Sequence, residues 1–146
     1  MTKGFINILS LSILFIACDH NANDTQKLQA EVIAVHDSVM PMMGTFVRDN
    51  IQVKSLLTKM DSLKKAMPTL DTLKEREDLN NLQISLSEAN DAMTDWMHNF
   101  EPAPENKSTD EIKDYFQNEL EKVKALQNKF TEAEKTSKLV LEKYNK

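Results

Sequence analysis

The sequence is poor in residues that break a chain or cross-link it. It has two glycines, four prolines and one cysteine in 146 residues. With Cys18 alone, no disulfide can close within the chain, so a stable fold must rest on packed apolar surface. One glycine, Gly4, stands near the start; the other, Gly44, is isolated, so no glycine-rich loop exists to cradle a phosphate. There is no HExxH pattern, and no serine stands with a base in a recognisable nucleophile arrangement. The carboxylates fall on solvated helix faces or beside lysines, so no catalytic residues are expected and the chain reads as a non-enzyme. Basic side chains number 18 and acidic ones 23, interspersed, for a net charge of −5. No basic patch carries interleaved aromatics, which argues against nucleic acid as a partner.

What the sequence does have begins at its N-terminus. Lys3 precedes an apolar run from Phe5 to Ala17, and polar DHNANDTQ follows Cys18. A charged start, a short apolar stretch and a small residue before the cut describe a secretory signal. The run is too short to span about 30 Å of hydrocarbon as a permanent helix. Phe15-Ile16-Ala17-Cys18 resembles the lipobox of bacterial lipoproteins, with Phe where Leu is commoner. The resemblance implies a signal peptide over 1–17, lipidation of Cys18, and a tether over 18–23. An ordinary signal peptide with an incidental cysteine is the alternative. Two considerations favour lipidation: the cysteine has no disulfide partner, and it sits where apolar sequence gives way to polar. Cleavage there would also remove Lys3 and make the net charge one unit more negative. Acylation at Cys18 would supply more than the two signals that stable membrane attachment requires.

From residue 24 onward Leu, Lys, Glu, Gln, Ala and Met dominate, all strong helix formers. Two breaks interrupt them, Met67-Pro68-Thr69-Leu70-Asp71 and the stretch from Glu101 to Ser108, which holds Pro102 and Pro104. The expected domain is therefore 24–146, with helices over about 24–66, 71–100 and 109–145. Thr69 or Asp71 can cap the second helix, and Ser108 with acids behind it can cap the third.

Apolar residues recur at alternating steps of three and four. In the first helix the seam runs Leu28, Val32, Val35, Val39, Met42, Phe46, Val53, Leu56, Met60, Leu63 and Met67, with Asp49 out of pattern. In the second it runs Leu79, Leu82, Leu86, Ala89, Met93, Trp96 and Phe100. The third carries Ile112, Phe116, Val123, Leu126, Phe130, Ala133, Val140 and Tyr144, interrupted by Glu119 and Ser137. Sustained heptads pack helices side by side at shallow angles, and short connections make neighbours antiparallel. The expectation is an all-α, elongated up-down-up three-helix bundle, monomeric because its helices can bury one another's seams. The first helix would be about 60 Å long at 1.5 Å per residue.

Folding the chain about Thr69 sets HDSVMPMM, residues 36 to 43, against AMTDWMH, residues 92 to 98. Met43 then faces Asp95, Met42 faces Trp96, and Met40 faces His98. Two readings compete for this cluster. Imidazole and thioether together select soft Cu(I), with His36, Met40, Met43, Met93, Met97 and His98 as possible ligands. Methionine is equally an adaptable core residue, and Met42 and Met93 fall directly on the seams. In this second reading Pro41, Met42, Gly44, Trp96 and Phe100 form a structural clasp. Pro41 removes a helical hydrogen bond and bends the first helix, and Gly44 lets another backbone approach. Haem held by a Met and a His would need a wider core than three Leu-lined helices leave.

The pairing of His36-Asp37-Ser38-Val39-Met40-Pro41-Met42-Met43 with the later run Ala89 to Phe100 resembles a group of small Bacteroidota lipoproteins often labelled "viral A-type inclusion protein". The resemblance covers most of the expected mature chain. It implies a lipoprotein of the cell envelope, at the outer membrane or the periplasm-facing inner membrane, and brings no activity with it. The function expected is structural or protein-binding, with the membrane and another envelope protein as partners and no cofactor. The alternative is a Cu(I)-handling lipoprotein of the same fold.

Overall fold

A computed structural model describes residues 20–144. The expected signal peptide, Cys18 and Asn145 lie outside the described residues. The described chain is all-α and contains no strand: α1 spans His20–Thr58, α2 Met60–Ala66, α3 Thr72–Asn99 and α4 Thr109–Leu141, followed by a 3-10 turn over Glu142–Tyr144. Within the described residues no helix is long and apolar enough to cross a membrane.

Caps and turns follow from local chemistry. The Asp71 carboxylate accepts the backbone N–H groups of Leu73 and Lys74 at 3.1 and 3.2 Å, satisfying two donors that the first turn of α3 leaves over. At α4, Ser108 and Glu111 form a reciprocal capping box. Those bonds from Ser108 hold the Glu111 carboxyl below its usual range. Between α2 and α3 the N–H of Leu70 reaches the Met67 carbonyl at 2.9 Å, a turn with Pro68 in its favoured second position. The Lys64 ammonium donates to the carbonyls of Pro68 and Leu70 at 2.8 and 2.7 Å.

The first expected helix differs from the sequence reading at both ends and within. It is already helical at His20, the first described residue, inside the segment expected as a tether, because nothing from His20 to Gln26 resists propagation of an established helix. It is interrupted at Lys59 (φ −93°, ψ 8°), whose N–H is shared between the Ser55 and Leu56 carbonyls at 3.1 Å each. By contrast the helix runs unbroken through Pro41, which lies on the exposed side where water can serve the carbonyl the ring leaves unpaired. Gly44 is exposed too. A Cβ there would meet only the Arg48 side chain, at 3.8 Å, so no second backbone approaches it. Met67, read as the end of the seam, is exposed because the helix stops at Ala66.

The remaining seam residues are buried or half-buried. Val32, Val39, Phe46 and Val53 of α1 meet Leu79, Leu82, Leu86 and Met93 of α3 and Val123, Phe130 and Ala133 of α4 in one core. Phe46 and Phe130 stack at 5.0 Å, 11° from parallel. Side-chain contacts trace the pairing order. Leu57, Asn50, Met43 and His36 of α1 meet Arg76, Ser87, Asn90 and Trp96 of α3, so numbers fall along one helix as they rise along the other. Between α1 and α4 they rise together: Glu31 with Lys124, Ser38 with Gln127, Asp49 with Ser137.

This order corrects the register expected from folding about Thr69. Met43 meets Asn90 rather than Asp95, and Trp96 meets His36 rather than Met42, a difference of more than one helical turn. The connection is not symmetric about Thr69. The interruption at Lys59 changes the phase of the chain between α1 and the turn, and Lys64 pulls the turn onto α2.

Candidate functional site: an apolar hollow over Trp96

Trp96 lies near the C-terminal end of α3 and is 9% exposed. Its indole N–H donates to Glu119 Oε2 of α4 at 2.8 Å, and the other carboxylate oxygen accepts from Lys122 at 2.7 Å. Glu119 is 5% exposed, so both oxygens of a nearly buried carboxylate are in use. Its hydrogen bond with Lys122 holds that ammonium above its usual range. Two rings lie against it. Phe100 stacks on it at 4.8 Å, and the His36 imidazole lies 5.6 Å away at 34°. Phe100 in turn meets Tyr115 and Phe116 at 6.4 and 6.3 Å, so four aromatic side chains bind the ends of α3 and α4. Burial pushes the Tyr115 phenol up, and its oxygen accepts the Glu101 N–H at 2.7 Å.

Above this aromatic group lies a hollow of about 340 Å³, lined by Ile33, His36, Asp37, Trp96, Met97, Phe100 and Pro102. Its rim is secured where Gln29 of α1 donates to the Pro102 carbonyl at 2.8 Å, tying the α3–α4 loop to α1. The His36 Nδ1 is 2.9 Å from Asp37 Oδ1, while Nε2 is buried without a hydrogen-bond partner. Leaving such an atom unpaired costs about 1–3 kcal/mol. A half-open apolar hollow with a few polar side chains, here His36 and Asp37, in its wall is the usual form of a small binding site. Two further hollows, beside Asp49 and Ser137 and along Asp114 to Glu121 of α4, are lined mainly by polar and charged side chains.

The residues singled out in the sequence separate. His36 and Met97 line the one hollow. Met93 is fully buried in the core, and Met43 is half-buried against it. Met40 is half-buried and does not line the hollow, and His98 is exposed on α3. Met42 packs on the core, and Trp96 and Phe100 are stacked; Pro41 and Gly44 stand on the solvent side, away from them. Among the described residues no group of three or more His, Cys, Asp and Glu could hold a metal ion.

Glu119, Asp49 and Ser137 were legible only as gaps in the seams, and they prove to be paired. Ser137 donates to Asp49 Oδ2 at 2.6 Å, so the gap in α1 meets a gap in α4. Lower down α3, buried Glu75 takes the Tyr144 hydroxyl and the Lys143 ammonium. No family model, curated protein or solved structure matches this chain.

Proposed function

We propose that this chain is a lipid-anchored protein of the cell envelope whose folded part, an elongated up-down-up three-helix bundle, binds a partner and catalyses nothing. In this reading α1 and α2 form the first leg, α3 the second and α4 the third. Acylated Cys18 fixes the start of α1 to the outer membrane or to the periplasmic face of the inner membrane. The bundle is a monomer, has no use for nucleic acid, and meets another envelope protein. The lipobox-like Phe15-Ile16-Ala17-Cys18 and the likeness to small Bacteroidota lipoproteins support the location.

The observation that carries the binding role is the hollow over Trp96. A protein that only filled space would gain by closing it with larger side chains, since unfilled apolar volume costs stability. Here the hollow is kept open, framed by stacked rings and pinned at its rim by Gln29 and Pro102. Two measurements test the reading. Cys18→Ser should abolish labelling by a fatty-acid analogue and release the protein from membranes. A photo-crosslinker at Ile33 on the rim should give one discrete envelope adduct that a crosslinker at exposed Leu139 does not. Loss of neither label nor membrane attachment in Cys18→Ser, or identical adducts from both positions, would overturn it.

A further inference from the structure

We propose that the hollow over Trp96 takes one soft monovalent metal ion, Cu(I), between the His36 imidazole and the Met97 thioether. The inference rests on reading the hollow as the recognition site and names its ligand.

The donor set is defined by what the hollow brings together. His36 Nε2 is buried and has no partner within the protein, whereas Nδ1 is engaged by Asp37 at 2.9 Å. With the Nδ1 proton donated to that carboxylate, the Nε2 lone pair is free. A carboxylate behind an imidazole in this way fixes its tautomer and orientation and raises its basicity as a ligand. Met97 is the one methionine lining the hollow, and its thioether is a soft donor. The Trp96 ring, 5.6 Å from His36, lines the same hollow and is held in place by its bond to Glu119, so an aromatic surface of the kind that attracts cations stands beside the two donors.

The surroundings select the ion. The remaining walls, Ile33, Phe100 and Pro102, have apolar side chains and add no further side-chain donor. Hard ions need oxygen ligands or water, and zinc seeks four strong donors. Neither set is present around this hollow. Two neutral donors suit Cu(I), and the single carboxylate beside them, Asp37, balances one positive charge and not two.

The test uses the full-length chain carrying Cys18→Ser, solubilised in detergent and free of oxygen, so that no thiol competes. Cu(I) is titrated against a competing chelator while the emission of the sole tryptophan is followed. The expected result is one Cu(I) per chain with quenched emission. His36→Phe keeps an aromatic ring beside Trp96 and Met97→Leu keeps volume, so both should retain their helical spectrum. Each should weaken binding by roughly tenfold or more, and Asp37→Asn by roughly 10–100-fold. Met40→Leu, outside the hollow, should leave affinity unchanged. Failure to compete with the chelator, or equal affinity in His36→Phe and Met97→Leu, would overturn the proposal. If the Ile33 crosslink persists while Cu(I) fails to bind, the metal falls and the binding role stands.

Discussion

The indole N–H of Trp96 and the carboxylate of Glu119 are joined across the α3–α4 contact by a 2.8 Å hydrogen bond at a position where both side chains are nearly buried. The pair fills a heptad position that would ordinarily be apolar on both helices. Removing one partner strands the other. Glu119→Leu should therefore cost about 1–3 kcal/mol in urea unfolding, because the indole N–H would be buried without an acceptor. Adding Trp96→Phe to that variant should recover part of the loss from the unpaired donor. A double variant whose loss equals the sum of the two single losses would show that the bond contributes nothing.

Leu86 is fully buried at the centre of α3. Leu86→Ala should destabilise the protein by about 2–5 kcal/mol, the cost of lost transfer energy and the cavity left behind. Chemical denaturation measured by circular dichroism reads this directly. A loss under about 1 kcal/mol would mean that the core collapses onto the vacancy or was never tightly packed.

Alkaline pH should loosen the far end of α4. The Tyr144 phenol is pushed above its usual range, first by burial and then by its hydrogen bond to Glu75. The folded chain holds this proton more tightly than the unfolded chain. That contribution is complete below pH about 10, the ordinary phenol value, and is lost as pH rises through the higher folded value. The urea midpoint should fall above pH about 10, and Tyr144→Phe should make the fall shallower. Tyr115, also raised, should keep the fall from vanishing. An unchanged slope in Tyr144→Phe would exclude the residue as a source.

Met40 lies half-buried on α1 outside the hollow. Met40→Leu should be nearly neutral, within about 1.5 kcal/mol, since the volumes are similar. Trp96 should emit as a buried indole in wild type and variant alike. A red-shifted, solvent-like spectrum would contradict its burial and its stacking on Phe100.

Much of the architecture was legible because heptad spacing reports burial residue by residue. Leu79, Leu82, Leu86, Ala89 and Met93 were read as seam and are all fully buried. The α3 and α4 starts were legible from Asp71 and Ser108, whose side chains do cap. Register was not. It depends on the phase at Lys59, where neither proline nor glycine gives warning, whereas the visible Pro41 leaves α1 unbroken. The candidate site suffered accordingly. The sequence shows a histidine–methionine–tryptophan group, but folding about Thr69 sets Met40 level with His98, whereas it is His36 that meets Trp96. Glu119 stands out in the sequence only as a gap, although a lone carboxylate in one seam and a lone indole in another are an acceptor and a donor that can pair.

An apolar seam with a seven-residue repeat is nearly degenerate: sliding one helix past another by a heptad again lays apolar against apolar. The polar pairs remove that degeneracy. If α4 slid by seven residues either way, Ile112 or Leu126 would stand where Glu119 does, and Phe130 or Tyr144 where Ser137 does. The Trp96 N–H and the Asp49 carboxylate would both lose their partners, at about 1–3 kcal/mol or more each. The apolar residues of the core cannot tell these alignments apart as sharply as the two hydrogen bonds do. Glu119 and Ser137 thus act as teeth of a key, and only in the alignment they admit is the indole beside the hollow held by its hydrogen bond.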